Sequence, residues 1–209
     1  MIGKSRLNVG RQRGIKDEIG DFSRERVLDA ASELFFEKGY TRTTIDDIAG
    51  RLGVTKPFIY NRFSSKAELL TEVCNRTTAF AADLAQEARD AKGAPADRLR
   101  EFAYSLTIRV IESRIYLSVL FREEKHLPVA ALEALRNDRK RFNSAVSALL
   151  EEGRKAGEFH FETTAIALQA ITGMTTWMFS WGQAGSSIAA DKLAAEMSAL
   201  VLQAVGVSS

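Results

Sequence analysis

The sequence predicts an all-α protein of about nine helices, and two observations carry that prediction. Apolar residues recur at helical spacing through long amphipathic runs, and the 209-residue chain holds only three prolines, Pro57, Pro95 and Pro128, each near the edge of such a run. Hydrophobic residues make up 45% of the chain and charged residues 27%, which suits a soluble globular protein of one to two domains with a sizeable core. No apolar run approaches the roughly 20 residues of a membrane span, and the N-terminus lacks an apolar stretch of signal-peptide length. A lone cysteine, Cys74, has no internal disulfide partner, which fits a reducing, cytoplasmic setting.

Residues 1–22 lack periodicity and carry Lys4, Arg6, Arg11, Arg13 and Lys16 among glycines. They read as a basic, flexible extension, or as an arm that follows a DNA backbone or minor groove. The first helix starts at Ser23, a good N-cap, and buries Val27, Leu28, Ala31, Leu34 and Phe35 before Gly39 stops it. Thr44-x-x-Asp47 resembles a capping box and opens a second helix with Ile45, Ile48, Ala49 and Leu52 inward. Leu52–Gly53–Val54 is a tight turn, Thr55 an N-cap, and Pro57 falls in the first turn of the third helix, where its missing N–H costs nothing. Ser65-x-x-Glu68 opens a fourth helix to about Ala91, broken by Lys92–Pro95. Further helices are expected over 96–112, 114–125, 129–153, 163–182 and 188–205, separated by Leu127–Pro128, the polar connector 154–162 and the stretch 183–187.

The stretch 39–66, GYTRTTIDDIAGRLGVTKPFIYNRFSSK, has the local grammar of a helix-turn-helix, whose second helix enters the DNA major groove. Charge agrees: residues 1–66 hold 13 Lys and Arg against 9 Asp and Glu, although the whole chain is only +2. Thr44, at a helix N-terminus, can hold a phosphate as well as cap its helix. Thr55, Lys56, Phe58, Tyr60, Asn61 and Arg62 are the candidates to face DNA. Lys56 can reach a guanine edge or a phosphate, Phe58 can pack on a thymine methyl, and Asn61 can pair with adenine. Phe63 reads as a core anchor.

Gly39–Tyr40, then Thr43–Thr44–Ile45-x-x-Ile48–Ala49, then Gly53–Val54–Thr55, then Tyr60-x-x-Phe63-x-x-Lys66-x-x-Leu69–Leu70 resembles the TetR family of one-component bacterial repressors over about residues 24–70. The resemblance implies an N-terminal three-helix helix-turn-helix domain over 23–70 and a larger C-terminal helical ligand-binding and dimerisation domain over 71–209. It also implies that Tyr60 and Lys66 hold phosphates, and that the protein is a homodimeric repressor of a palindromic double-stranded operator, released by a small hydrophobic effector.

In the C-terminal region, Ile188, Leu193, Met197, Leu200, Val201 and Ala204 form an apolar stripe. The preceding helix, with Leu168, Ile171, Met174 and Met178, is apolar nearly all round. Two such helices per subunit suit a four-helix dimer interface, and Leu168, Ile171, Met174, Leu193, Met197, Leu200, Val201 and Ala204 are its expected residues. Phe80, Phe102, Tyr104, Tyr116, Phe121, Met174, Trp177, Met178 and Trp181 are candidates to line a ligand cavity, although any one of them also suits an ordinary core. Thr107, Arg109, Arg122, Asn143 and Gln169 can supply its polar groups. The segment Leu120–Pro128, with the Trp177–Trp181 spacing, resembles a branch of the family that senses acyl-CoA thioesters. Arg122, Arg136, Arg139, Lys140 and Arg141 then either neutralise phosphates of such a ligand or form a solvated basic face. A planar hydrophobic drug, as for efflux regulators, is the alternative effector, and a ligand-independent architectural DNA binder a third reading. No GxGxxG, Walker, HExxH or GxSxG pattern occurs, and Glu123, Glu124 and His126 match no strong metal-ligand spacing, so neither an enzyme, a cofactor nor a metal is expected.

Overall fold

The computed structural model describes residues 24–181 and 188–207; the Ser23 cap, the 1–22 extension and the 183–187 connector lie outside the described residues. Among the described residues there are nine α-helices, two short 3-10 turns and no strand. The chain divides between Val73 and Cys74 into two compact units.

In the first unit, α1 (residues 24–38) buries Val27, Leu28, Ala31, Leu34 and Phe35 against α2 (Ile45–Leu52), α3 (Lys56–Tyr60) and the first turns of α4 (Lys66–Asp90). Ile45, Ile48, Ile59, Phe63, Leu69, Leu70 and Val73 complete this core. Charge pairs lie at the edges of this core, exposed and individually weak. Arg51 of α2 pairs with Glu33 and Glu37 of α1 at 3.1 and 2.7 Å. Arg24 lies 4.1 Å over the Phe63 ring and pairs with Glu68 and Glu72. The Thr44 box is closed: the Asp47 N–H donates to the Thr44 hydroxyl oxygen at 3.1 Å, and the Thr44 N–H to the Asp47 carboxylate at 2.8 Å. Lys38 joins from α1 at 2.9 Å, and these donors, Lys38 first, pull the Asp47 pKa from 3.8 to about 2. The box at Ser65 is displaced by one residue on its return side. The Glu68 N–H donates to the Ser65 hydroxyl, but the Glu68 carboxylate accepts from the N–H and hydroxyl of Ser64, both at 2.6 Å.

The second unit contains the rest of α4, α5 (Pro95–Glu112), α6 (Arg114–Glu123), α7 (Val129–Lys155), α8 (Thr164–Thr176) and α9 (Ala190–Ala204). Its core is a set of helical stripes: Leu99, Phe102, Ala103, Leu106 and Val110 from α5, Phe142, Ala145, Val146, Leu149 and Leu150 from α7, Leu168 and Ile171 from α8, and Leu193, Met197, Val201 and Leu202 from α9. Each large side chain buried this way contributes about 1.5–3 kcal/mol. Gly153 is fixed by packing, because a Cβ there would stand 2.2 Å from the Phe159 ring. Arg98, itself buried, donates to the Ala88 and Arg89 carbonyls and pairs with Glu152 at 2.7 Å, so it satisfies the last turn of α4. Burial, with the charges of Glu124 and Glu123, pushes the Cys74 thiol up to about 12.

Two helices end earlier than their sequence pattern predicts. The run expected over 163–182 is α-helical only to Thr176, and Trp177–Trp181 tightens to a 3-10 turn. The hydroxyls of Thr172, Thr175 and Thr176 donate to the carbonyls of Leu168, Ile171 and Thr172 at 2.6–2.8 Å, competing with the helix ladder just before the change. Likewise α6 gives way at Glu124–His126 to a 3-10 turn ahead of Leu127–Pro128.

Candidate DNA interface and effector cavity

The angle between α2 and α3 is set at Gly53, which has φ 65° and ψ 32° and sends its N–H back to the carbonyls of Ala49 and Gly50. Any residue with a Cβ is strained in that conformation. Ile48 and Ile59, fully buried, lock the crossing from inside. Thr44, Thr55, Lys56, Tyr60 and Asn61 are then all exposed, with Phe58 half-buried beside them. Thr55 takes the N-cap position of α3 but makes no side-chain capping bond. The Thr44 hydroxyl, in contrast, is occupied: it accepts from the Asp47 N–H and donates to the Asp47 carboxylate at 2.8 Å.

Lys66 departs from expectation. Its ammonium donates to the carbonyls of Tyr40 and Thr43, both at 2.9 Å, with Thr41 at 3.5 Å, and lies 4.3 Å from the Tyr40 ring centre. Three carbonyl acceptors match its three N–H donors, so it fastens the α1–α2 loop to α4. Arg62 is folded back too, with its guanidinium 3.7 Å over the Phe58 ring and donating to the Phe58 carbonyl at 3.0 Å. Two charged neighbours were not among the residues expected to face DNA. Arg42 is exposed two residues before the α2 cap, with its Nε donating to the Lys38 carbonyl at 2.7 Å. Asp46 pairs with Lys56 at 2.9 Å and, by that hydrogen bond, raises the lysine pKa. Their positions beside the capping box were the available signal.

The second unit holds a cavity of about 390 Å3 among α4, α5, α6, α7 and α8. Phe80, Leu106, Val110, Leu117, Leu120, Phe121, Phe142 and Trp177 give it an apolar lining, and Thr77, Arg109, Asp138, Arg139, Asn143, Gln169 and Thr176 place polar groups on it. Of the nine residues expected there, Phe80, Phe121 and Trp177 line it. Phe102 and Met178 are buried in the core and Met174 packs against it. Tyr116 instead accepts a hydrogen bond from Arg76 at 3.1 Å, and Trp181 is exposed on the 3-10 turn. Tyr104 lines a separate depression between α5 and α9, and its hydroxyl donates to Asp191 at 3.0 Å. A helix turns about 100° per residue, so neighbouring aromatics fan out and few reach one cavity.

The polar residues divide in the same way. Arg109, Asn143 and Gln169 line the cavity, whereas Thr107 is buried and donates to the Ala103 carbonyl, and Arg122 pairs with Glu123. Arg109 lies 4.4 Å over the Phe80 ring. Arg139 is gripped by both carboxylate oxygens of Glu124, at 3.0 and 2.6 Å. Behind two of the lining rings, Phe121 stacks on Phe179 at 4.8 Å and 10°, and Trp177 meets Phe179 edge-on.

The stripe expected to form a dimer interface faces the chain's own core. Leu168, Ile171, Leu193, Met197 and Val201 are buried within one copy. Leu200 and Ala204 face outward. On α8 the exposed residues include Ile166, Ala170 and Gly173, which share one face at helical spacing, with Ala165 and Gln169 beside them. Among the described residues no helix is long and apolar enough to cross a membrane, and no group of three or more potential ligands gathers to hold a metal.

Two short helices joined by a tight turn at Gly53, the second exposing Lys56, Tyr60 and the Asn61 that follows it, have the form of a helix-turn-helix DNA-binding regulator. A family model described as bacterial regulatory proteins of the tetR family matches residues 27–73, and one described as a tetracyclin repressor-like C-terminal domain matches residues 92–205. The chain belongs to the TetR family of transcription regulators. It is 43% identical over 74 residues to the HTH-type transcriptional activator FasR of Mycolicibacterium smegmatis, a match to 35% of this chain and 33% of that protein's length. To the HTH-type transcriptional repressor KstR2 of the same organism it is 24% identical over 184 residues, covering 86% of this chain and 88% of the repressor. A tetR-family regulatory protein from Rhodococcus RHA1 superposes with a TM-score of 0.80 at 24% identity, over 90% of this chain and 98% of that one. The structure of AibR in complex with isovaleryl coenzyme A and operator DNA superposes with a TM-score of 0.72 at 17% identity, over 85% and 97% of the two chains.

Proposed function

We propose that this protein is a homodimeric repressor whose hold on a palindromic operator is released by a small hydrophobic effector bound in the 390 Å3 cavity. Repression is favoured because the likeness that spans most of the chain is to a repressor, whereas the likeness to an activator stops after 74 residues. Thr55, Lys56, Phe58, Tyr60 and Asn61 contact DNA, with Thr44 at the α2 N-terminus. In a two-fold dimer the two α3 helices would stand about 34–36 Å apart to reach successive major grooves. The effector shifts the equilibrium because it binds one state of the dimer better than the other, and α4, which begins in the first unit and ends in the second, is the segment through which that shift passes.

The observation that carries the effector reading is the cavity itself: an apolar interior with a few polar and cationic groups on its lining. An acyl-CoA thioester suits this arrangement. Its acyl chain would fill the space between Leu106, Val110, Leu117 and Phe142, and its phosphates would take Arg139 from Glu124. The similarity to AibR, whose structure holds isovaleryl coenzyme A, supports the same class. A flat aromatic effector is the second reading, favoured by the aromatic rings of Phe80, Phe121, Phe142 and Trp177 on the cavity lining. Thermal shift against acyl-CoA thioesters and planar drugs separates them. Ligand at 100 times its Kd stabilises by about 2.7 kcal/mol, a clear rise in melting temperature. No rise with either class would favour a DNA binder without an effector.

A further inference from the structure

Asp46 is a carboxylate placed where carboxylates weaken binding. It lies in the first turn of α2, its side chain is 71% exposed, and it shares the exposed surface of Thr44, Thr55, Lys56 and Tyr60. The neighbouring Asp47 is explained by the scaffold, since it closes the Thr44 box and pairs with Lys38. Asp46 closes no cap. Its Oδ2 stands 2.9 Å from Nζ of Lys56, the first residue of the recognition helix. A negative charge within a Debye length of DNA, about 8–10 Å, repels phosphates of every sequence.

We propose that Asp46 is a positioning residue for operator discrimination: by pairing with Lys56 it withholds that lysine from the phosphate backbone and presents it to a base edge. The physical reason lies in the lysine side chain, a point charge on a flexible stem. Unrestrained, it settles on the nearest phosphate, which any sequence offers and which counterion release rewards. Paired, it carries almost no net charge into a non-specific encounter. An ammonium has three N–H donors, so Lys56 can give one to a guanine edge while Asp46 keeps another. Two other cations near this surface are held differently: Arg62 lies over Phe58 and Lys66 is bound to backbone carbonyls. The recognition helix thus lacks freely swinging charge at three of its nearest basic positions. The proposal rests on α3 being the DNA-reading helix.

The test measures affinity for a selected operator and for a scrambled duplex across a salt series, in the unsubstituted protein, Asp46→Asn, Lys56→Gln and the double variant. Asp46→Asn should tighten scrambled-DNA binding about fivefold near physiological salt and steepen its salt slope by about one, the signature of one added phosphate contact. Operator affinity should gain less, so the preference for operator falls. In the Lys56→Gln background Asp46→Asn should leave that preference unchanged. An equal fall in both backgrounds would mean that Asp46 acts on DNA by itself, and no fall in either would remove its role; both outcomes overturn the proposal. Lys56→Gln weakening operator binding while Asp46→Asn does nothing would leave the DNA reading standing without this refinement. Failure of the unsubstituted protein to prefer any duplex would sink both. Thermal melts of all four proteins separate folding losses from binding effects.

Discussion

At the scale of single residues, the same side-chain type does different work according to what surrounds it. Lys56 and Lys66 illustrate this. Both are lysines of the helix-turn-helix region, and the family resemblance assigns the second to a phosphate. The structure gives its three N–H groups to carbonyls of the α1–α2 loop. Lys66→Ala is therefore expected to destabilise the first unit by about 1.5–3 kcal/mol, the range for hydrogen bonds to a charged group, while leaving the salt slope of DNA binding unchanged. Chemical denaturation and a salt titration check this, and a slope reduced by one at unchanged stability would restore the phosphate role. Asp47 gives the pH-dependent case. Its folded-state pKa of about 2 lies below the ordinary 3.8, because Lys38 and the Thr44 N–H and hydroxyl hold the carboxylate. The unfolded chain then binds the proton more readily, so this stabilisation is complete above the ordinary value and disappears as pH falls through 2. Asp47→Asn should flatten the acid limb of the stability curve in that window, measured by thermal melts across acidic pH. The capping box at Thr44–Asp47 was legible in the sequence because its partners are three residues apart. The Lys66 contacts were not, because its acceptors lie up to 26 residues away.

Elements were legible where apolar spacing ran uninterrupted. The stripes of α1 and α2 fall where helical periodicity places them, and Gly53 ends α2 as its position predicts. Glycines separate local from packing constraints. Gly53 and Gly50 both have open space where a Cβ would stand, but only Gly53 has a positive φ. Gly53→Ala should cost about 1–2 kcal/mol from backbone strain alone, and Gly50→Ala, inside a helix, should gain about 0.5–1 kcal/mol. Opposite shifts in denaturation midpoint at these neighbouring sites would verify the pair. The ends of α6 and α8 were not legible. At α8, threonine hydroxyls bonding back to carbonyls loosen the helix without altering its apolar pattern. The cavity was hard to read for a related reason. Periodicity tells which residues point inward, but not which inward residues meet a neighbour and which meet empty space. Phe80 and Phe121 line the cavity while Phe102, at an equally good helical position, fills core.

For the whole molecule, the dimer and the effector are decisive. A helix that is apolar nearly all round must be covered on two sides, and α8 is covered on one by its own core through Leu168 and Ile171. Its other side exposes Ile166, 69% accessible, while α9 exposes Leu200 at 48%. The proposed dimer would accordingly pack through Ile166, Ala170, Gly173 and Leu200, which one copy leaves exposed. Ile166→Glu with Leu200→Glu should yield a folded monomer by light scattering and cost most of the operator affinity, since two half-sites are no longer bound together. A dimer of unchanged mass would move the interface elsewhere. The central claim is that occupancy of the cavity weakens the grip on DNA. Its most direct test is operator affinity by fluorescence anisotropy, on a duplex selected from a random palindromic library, with and without saturating acyl-CoA thioesters of increasing chain length. At least one thioester should raise the operator Kd about tenfold or more, a coupling of about 1.4 kcal/mol or above. An operator Kd that no thioester changes, including those that bind and stabilise the protein, would contradict the claim.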